Sequence, residues 1–523
     1  MKLVGTDQMR DLDRRTIEES NVSGETLMDR AGQGVADVAR RMSEIAGFTN
    51  PFVLLIAGRG NNGGDAFTAA RHLKEMGFDV EVWLAGAANE VRGDALKHLS
   101  KMKTAKVPFY ELPTKEDWDE TLRNPVGADV LIDGVLGTGS SGPARGPAVG
   151  AIQYINARSR DSLVIAIDIP SGLDADTGKA EGEVVRADVT VTMGLPKRGL
   201  VEPAALEYVG SVEVVDIGIP PDYVEQVPPE DDRELVYLTD IKPLFPRRKR
   251  ASHKGDYGHV LLIGGARGYA GAIAMAARAA VRSGVGLVHA LVPESIAGVV
   301  AGASLEAMVV GARETESGSL SIELWKEWKE RINKFDAVLL GPGLTRHGDS
   351  LALVKEILQG CEVPLALDAD ALSVLEGQAG LLAKAGCSIV ITPHPGELSR
   401  LIAKDSAAIQ ADRCGAARAA AQATGAVVVL KGAGTIVAEK GRVLGINLTG
   451  NPGMAKGGSG DVLAGLLAGL LAQGLPPYDA ARAAVYIHGH AGDMAAWRKS
   501  QAGINAGDLI EEIPYVFRDL ALR

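Results

Sequence analysis

The sequence predicts an α/β protein made of two successive parallel-sheet domains, on three observations. Short β-branched runs alternate with Gly-rich turns and amphipathic helical stretches along most of the chain, the pattern of parallel strands joined by right-handed crossovers. That alternation breaks once, after residue 217, where GIPPDYVEQVPPEDDREL is rich in proline and acid and reads as a connection. At 523 residues the chain also exceeds one compact core, since a domain takes ~100–200 residues. The expected division is 1–217, a linker over 218–235, and 236–523.

In the first half, PFVLLIAG, VEVWLAG, VLIDGVLG, SLVIAIDIP and VTVTMG predict buried strands near Phe52, Val80, Val130, Leu163 and Val189, with helices between Met9 and Gly32 flanking the sheet. Alternation restarts at His259 with HVLLIGG, LVHALVP, DAVLLGPG, PLALDAD, SIVITPHPG and AVVVLKGAGT. The two halves share no close repeat and are read as different domains.

A formal charge of −11 argues against nucleic-acid binding, which relies on clustered Lys and Arg. An anionic substrate must then be held by backbone amides and helix ends. The basic run PRRKR (246–250) reads as a solvated edge. Cys361, Cys387 and Cys414 form no CxxC pair and fit a reducing compartment. The charged start MKLVGTDQMRDLDRR is not a signal peptide. The apolar stretch 462–478 falls short of the ~20 residues of a membrane span. No membrane association and a cytoplasmic location are expected.

Ligands of open parallel sheets bind at the carboxyl ends of strands, and the polar residues of the first domain fall there. One strand runs into Gly58-Arg59-Gly60-Asn61-Asn62-Gly63-Gly64-Asp65, another ends at Asp133, a third at Asp168 before Ile169-Pro170-Ser171. Neighbouring ends would put two carboxylates, an Asn and an amide cradle in one crevice. Singly, Asp65, Asp133 and Asp168 also read as turn or helix caps. In the second domain, GGSGD runs directly into an apolar helix, so free N–H groups and the helix dipole meet Asp461. An anion hole beside a carboxylate is what phosphoryl transfer requires; the alternative is that Asp461 is a cap. Other candidates at strand ends are Gly341-Pro342-Gly343, Asp368, His394 with Glu397, and Lys431 to Thr435.

Residues 1–217 resemble the NAD(P)H-hydrate epimerase family through MRDLDRRTIEE, LMDRAG, GRGNNGGD, DGVLGTG, DIPSGLDADTG and KRGL. Residues 236–523 resemble the ADP/ATP-dependent NAD(P)H-hydrate dehydratases through HKGDYGHVLLIGG, YAGA, LGPGL, TPHPGE, KGAGT and NPGMAKGGSGD. The resemblance implies a Rossmann-like parallel-sheet domain followed by a ribokinase-like α/β domain. It implies that Asn61, Asn62, Gly63, Gly64, Asp65 and the loop Gly137, Thr138, Gly139, Ser140, Ser141, Gly142, Pro143 hold the hydrated cofactor. Asn62, Asp133 and Ser171 would coordinate K⁺, and Asp168 would be the acid/base residue. In the second domain Ala272, Gly343, His394 and Asp461 would contact the hydrate. Lys431, Gly432, Ala433, Gly434, Thr435 and Gly460 would hold ADP or ATP, with Mg²⁺ bridging its phosphates and Asp461 as the base. NADH-hydrate and NADPH-hydrate are the implied substrates, and a homo-oligomer is expected. The sequence departs from the family at Ala66, where Gly is usual, in the loop SSGPARGP, and at Lys456, read as an exposed helix-entry lysine.

Rival readings are a small-molecule kinase making a stable phosphate ester, a metabolite-binding module in the first half, and an ordinary NAD oxidoreductase. The last is weakened by the missing GxGxxG and acidic ribose partner.

Overall fold

The computed structural model describes residues 1–140, 142–228 and 232–521. The chain divides into two compact units, Met1–Leu235 and Val236–Arg523.

The first unit is a seven-stranded sheet: β1 (Phe52–Ala57), β2 (Asp79–Leu84), β3 (Phe109–Glu111), β4 (Val130–Gly134), β5 (Leu163–Ile167), β6 (Val189–Met193) and β7 (Ser211–Val215). The order is β3-β2-β1-β4-β5-β6-β7, and every pairing is parallel. β4, β5 and β6 are buried at every residue, as continuous Val/Ile/Leu runs covered on both faces should be. The edge strands β3 and β7 were not anticipated. β3 has three residues, and β7 is half-buried throughout, so neither shows the apolar run by which central strands are recognised. Trp83, Trp118 and Tyr154 pack one face of the sheet, the Trp83 and Tyr154 rings 5.1 Å apart.

Residues 218–235, expected as a linker, count with the first unit. Lys2 Nζ donates to the carbonyls of Val224, Glu225 and Val227 at 2.9–3.2 Å, and the N-terminal ammonium donates to Leu235 O. These backbone contacts anchor the described part of the segment to the start of the chain.

The second unit carries β8 (His259–Ile263), β9 (Leu287–Pro293), β10 (Met308–Ala312), β11 (Ala337–Leu340), β12 (Leu365–Leu367), β13 (Ile389–Ile391), β14 (Val427–Leu430), β15 (Thr435–Ala438) and β16 (Leu444–Asn447). They lie in the order β10-β9-β8-β11-β12-β13-β14-β15-β16. Pairings from β10 to β14 are parallel, whereas β14, β15 and β16 form an antiparallel meander. Lys431–Gly434 is therefore a hairpin turn. The helix Ser459–Ala472 is buried along almost its whole length, which explains why it is apolar all round. It packs directly on the helix Ala270–Arg282, because a Cβ at Gly465 would stand 2.0 Å from Ala276 O. The three cysteines are free thiols. Among the described residues no helix is long and apolar enough to cross a membrane.

Candidate active sites

In the first unit the ends of β1, β4 and β5 are adjacent, because the strand order reverses between β1 and β4. The chain turns sharply there: a Cβ at Gly58 would lie 1.9 Å from Val135 O, and one at Gly63 1.9 Å from Gly58 O. Asn61–Asp65 form the start of the helix Asn61–Glu75 rather than a loop, and the N-cap is Gly60, with no side-chain cap. Asp65 is thus one turn inside the helix and is not its cap.

Three side chains converge on residues 135–137. Asp133, fully buried, accepts from the Ser171 hydroxyl at 2.6 Å, Ser171 N–H at 2.8 Å and Val135 N–H at 3.2 Å. Ser171 Oγ accepts from Leu136 N–H at 2.8 Å, and Asn62 Nδ2 donates to Leu136 O at 2.8 Å. The Asn62 side chain lies against Gly137, with Oδ1 3.3 Å from where a Cβ would stand. Arg10 Nη2 donates to Thr138 O at 3.1 Å, tying the first helix to the loop. Ser141 of that loop lies outside the described residues. All hydrogen bonds to Asp133 come from neutral groups, and burial pushes its carboxyl up to about 6. A buried carboxylate among amide and hydroxyl oxygens suits a weakly hydrated cation, so the donor set fits K⁺.

Asp168, just past β5, adopts φ +64°, a left-handed conformation that costs a non-Gly residue energy. Its Oδ1 accepts from Thr192 Oγ1 and Met193 N–H, each at 3.2 Å, and is ion-paired with Lys197 Nζ. Lys197 is 1% exposed, and it also donates to Thr192 Oγ1 at 3.2 Å and Met193 O at 3.0 Å. Asp13, from the helix Thr6–Glu19, is pushed up to about 6 by burial, against the pull of Lys197; its Oδ1 is buried without a hydrogen-bond partner. Burial holds Asp65 well above the usual carboxylate range, reinforced by the charges of Asp168 and Asp13. Three carboxyl groups therefore gather around one buried ammonium. Sequence reasoning missed Asp13 and Lys197 as site residues, although both lie in quoted motifs, MRDLDRR and KRGL.

In the second unit the ends of β11 to β14 lie side by side. Asp368 follows β12 and is 2% exposed; its Oδ1 accepts from Thr392 Oγ1 at 2.7 Å and Lys431 Nζ at 2.8 Å. Lys431 Nζ is also 3.7 Å from Glu397 Oε2, and a Cβ at Gly460 would be 3.5 Å from Nζ. Lys431 thus reaches from the hairpin into the carboxylate cluster at the helix start, while Gly432 and Gly434 of the turn lie against Arg413 and Thr435 begins β15. The Arg413 guanidinium donates to Leu430 O and Lys431 O, each at 3.2 Å. Asp461 faces this cluster. Burial pushes its carboxyl up to about 7, with the charge of Asp368 adding and Lys431 opposing. No side chain caps this helix, whose N-cap Gly458 has φ +97°, so the cap reading of Asp461 fails.

His394 caps the helix Pro395–Ile402, its Nδ1 accepting from Gly396 N–H at 3.0 Å and Glu397 N–H at 3.3 Å. That bonding fixes Nδ1 as the acceptor, so the ring N–H is at Nε2, which lies 3.6 Å from Oε1 of the buried Glu397 in a half-exposed ring. Ala272 and Gly343 are brought together, with 3.4 Å between the Ala272 Cβ and the place of a Gly343 Cβ. Lys456 Nζ donates to Ala502 O at 2.7 Å and Ile504 O at 2.6 Å, so this lysine ties down a loop. His488, which was not singled out, is bonded through Nε2 to Ser459 O at 2.8 Å, and burial lowers its pKa to about 4. It is a neutral prop under the helix start.

Each unit thus holds a carboxylate-centred site at the carboxyl edge of a parallel sheet. The chain matches two family models: YjeF-related protein N-terminus over residues 24–199, and NAD(P)H-hydrate dehydratase over residues 260–515. The bifunctional NAD(P)H-hydrate repair enzyme Nnr of Moorella thermoacetica is 40% identical over 522 residues, covering 99% of this chain and 97% of that protein. The enzyme of the same name from Thermofilum pendens is 36% identical over 521 residues, covering 99% and 97%. Among solved structures, an ADP/ATP-dependent NAD(P)H-hydrate dehydratase from Bacillus subtilis, co-crystallised with ATP/Mg²⁺, is 29% identical with a TM-score of 0.49, covering 55% of this chain and 98% of that one. The chain belongs to the family of bifunctional NAD(P)H-hydrate repair enzymes.

Proposed function

We propose that the first unit interconverts R- and S-hydrates of NADH and NADPH, and that the second dehydrates the S form at the expense of ADP or ATP. The observation that carries this reading is the pairing of two carboxylate sites with different surroundings, Asp168 bound to Lys197 and Asp461 at the GGSG helix start.

In the first site Asn61, Asn62, Gly63, Gly64 and the 137–143 loop hold the hydrated cofactor. Burial raises the Asp65 carboxyl and suits it to donate a proton, while Asp168 Oδ1 is held by Lys197, Thr192 Oγ1 and Met193 N–H. Hydroxyl leaves C6 as water, taking the Asp65 proton while the N1 lone pair forms the C6=N1 bond. Water then adds to the other face of C6 and gives a proton to Asp168, which passes back to Asp65. Asn62, Asp133 and Ser171 hold K⁺, which would balance the buried charge of Asp133 and fix the loop.

In the second site Lys431 to Thr435 and Gly460 hold the nucleotide, and Ala272, Gly343 and His394 hold the hydrate. Asp368 and Glu397 supply oxygens of the kind Mg²⁺ takes, and bound Mg²⁺ would neutralise phosphate charge. Asp461 takes the C6 hydroxyl proton as the oxygen attacks phosphorus, with helix N–H groups on the phosphoryl oxygens. The N1 lone pair then expels phosphate, and loss of a C5 proton restores the dihydropyridine ring.

The test uses separated epimers and follows NADH absorbance. S-hydrate should recover NADH only with nucleotide present. R-hydrate should do so as well, but not in Asp168→Asn, which should retain the S reaction. Loss of both reactions in folded Asp168→Asn would overturn the two-site reading.

A further inference from the structure

We propose that Lys197 is a positioning residue of epimerisation: it occupies Oδ1 of Asp168 and so leaves Oδ2 as the oxygen that exchanges the proton at C6. This rests on reading Asp168 as the acid/base residue. Lys197 has three N–H groups, and the fold uses all of them, on Asp168 Oδ1, Thr192 Oγ1 and Met193 O. With its ammonium saturated and its side chain 1% exposed, Lys197 cannot also bind substrate. It acts through Asp168.

The Asp168 carboxylate is asymmetric as a result. Oδ1 receives Lys197, Thr192 Oγ1 and Met193 N–H, whereas Oδ2 accepts no hydrogen bond from a described residue. The left-handed backbone at Asp168 holds that orientation at a rigid strand end. Lys197 also decides which carboxyl of the cluster is the base. The titratable groups facing it are Asp168 past β5, Asp13 of the helix Thr6–Glu19, and Asp65 of the helix Asn61–Glu75. Burial biases Asp13 and Asp65 toward the protonated form, and direct pairing with the single ammonium sets Asp168 apart from them. Without that ammonium, ionising any of the three carboxyls would leave a charge with no paired ammonium beside two other acids, which opposes the ionised form. A site with no ionised carboxylate cannot accept the proton of the water adding to C6.

Lys197→Met keeps chain length and removes the charge. In the full-length protein kcat for R/S interconversion should fall at least ~100-fold at pH 7, the lower end of a general-base effect. KM should stay within a few-fold, and the acid limb of the pH–rate profile should move to higher pH; loss of packing alone would not move that limb. Nucleotide-dependent turnover of S-hydrate should be unchanged. Near-wild-type kcat with an unmoved acid limb would overturn the proposal. If Lys197→Met does not fold, Thr192→Val, which removes one donor at similar volume, should move the limb in the same direction by less; an unmoved limb there overturns it equally. Asp168→Asn in the same assay separates the two ideas. Activity retained in that variant would refute the role of Asp168 itself, whereas an inactive Asp168→Asn beside an unaffected Lys197→Met would refute only the role of Lys197.

Discussion

Replacing Asp461 with Asn should make the second unit more stable and inactive together. Burial and the charge of Asp368 raise this carboxyl from 3.8 to about 7, so the folded protein binds the proton more tightly than the unfolded chain. Stability conferred by the protonated form is therefore fully present below about pH 4 and is lost as pH rises through 7. A shift of about three units corresponds to at most about 4 kcal/mol. Asn is never charged and escapes that cost. In nucleotide-free protein at pH 8, Asp461→Asn should melt several degrees higher, and at pH 4 the two proteins should melt together. Dehydration of S-hydrate should fall at least ~100-fold, because a general base contributes ~10²–10⁴-fold. The wild-type kcat/KM should show an acid limb near pH 7. The assays are NADH absorbance recovery at saturating nucleotide and thermal melts at both pH values. Turnover near wild type, or a variant less stable at pH 8, would refute the assignment and make Asp368 the next candidate base.

Other perturbations address the remaining parts of the account. Asp13→Asn should stabilise the first unit at pH 8 but not at pH 4, by up to about 3 kcal/mol, since its carboxyl is raised from 3.8 to about 6; equal melting at pH 8 would contradict this. Exchanging K⁺ for Li⁺ should slow epimerisation and leave dehydration of S-hydrate unchanged, as compared in rate assays at constant ionic strength. Gly63→Ala should cost about 1–3 kcal/mol or more of first-unit stability, measured by denaturant melts, because its Cβ would fall 1.9 Å from Gly58 O. Lys456→Met should lower the melting temperature through loss of the bonds to Ala502 O and Ile504 O, while kcat for dehydration stays within a few-fold.

Central strands were legible because a strand covered on both faces must be a continuous apolar run, as in FVLLIA and LVIAI. The edge strands β3, β7 and β10 lacked that signal, and the β14–β15 hairpin was hidden because KGAGT suits either a helix entry or a turn. Asp133, Asp168 and Asp461 were legible because a carboxylate at the end of an apolar strand, or after GGSG, is conspicuous. Lys197 was not, since a single Lys in GLPKRGL is ordinarily a solvated residue, and only the fold reveals its ion pair across 29 residues. Asp13 was obscured by a helix otherwise lined with exposed charge. Lys431 was legible as part of a loop but not as the partner of Asp368, a contact between the ends of β12 and β14 on either side of β13, 63 residues apart in sequence.

The central claim, two complementary activities in one chain, is tested most directly by titrating a mixture of R- and S-hydrates with the purified protein and limiting nucleotide. The account predicts that every molecule of either epimer returns as NADH, with one nucleotide consumed and one phosphate released per NADH. Recovery that stops at the S fraction, or a stable phosphorylated product in place of NADH, would contradict it.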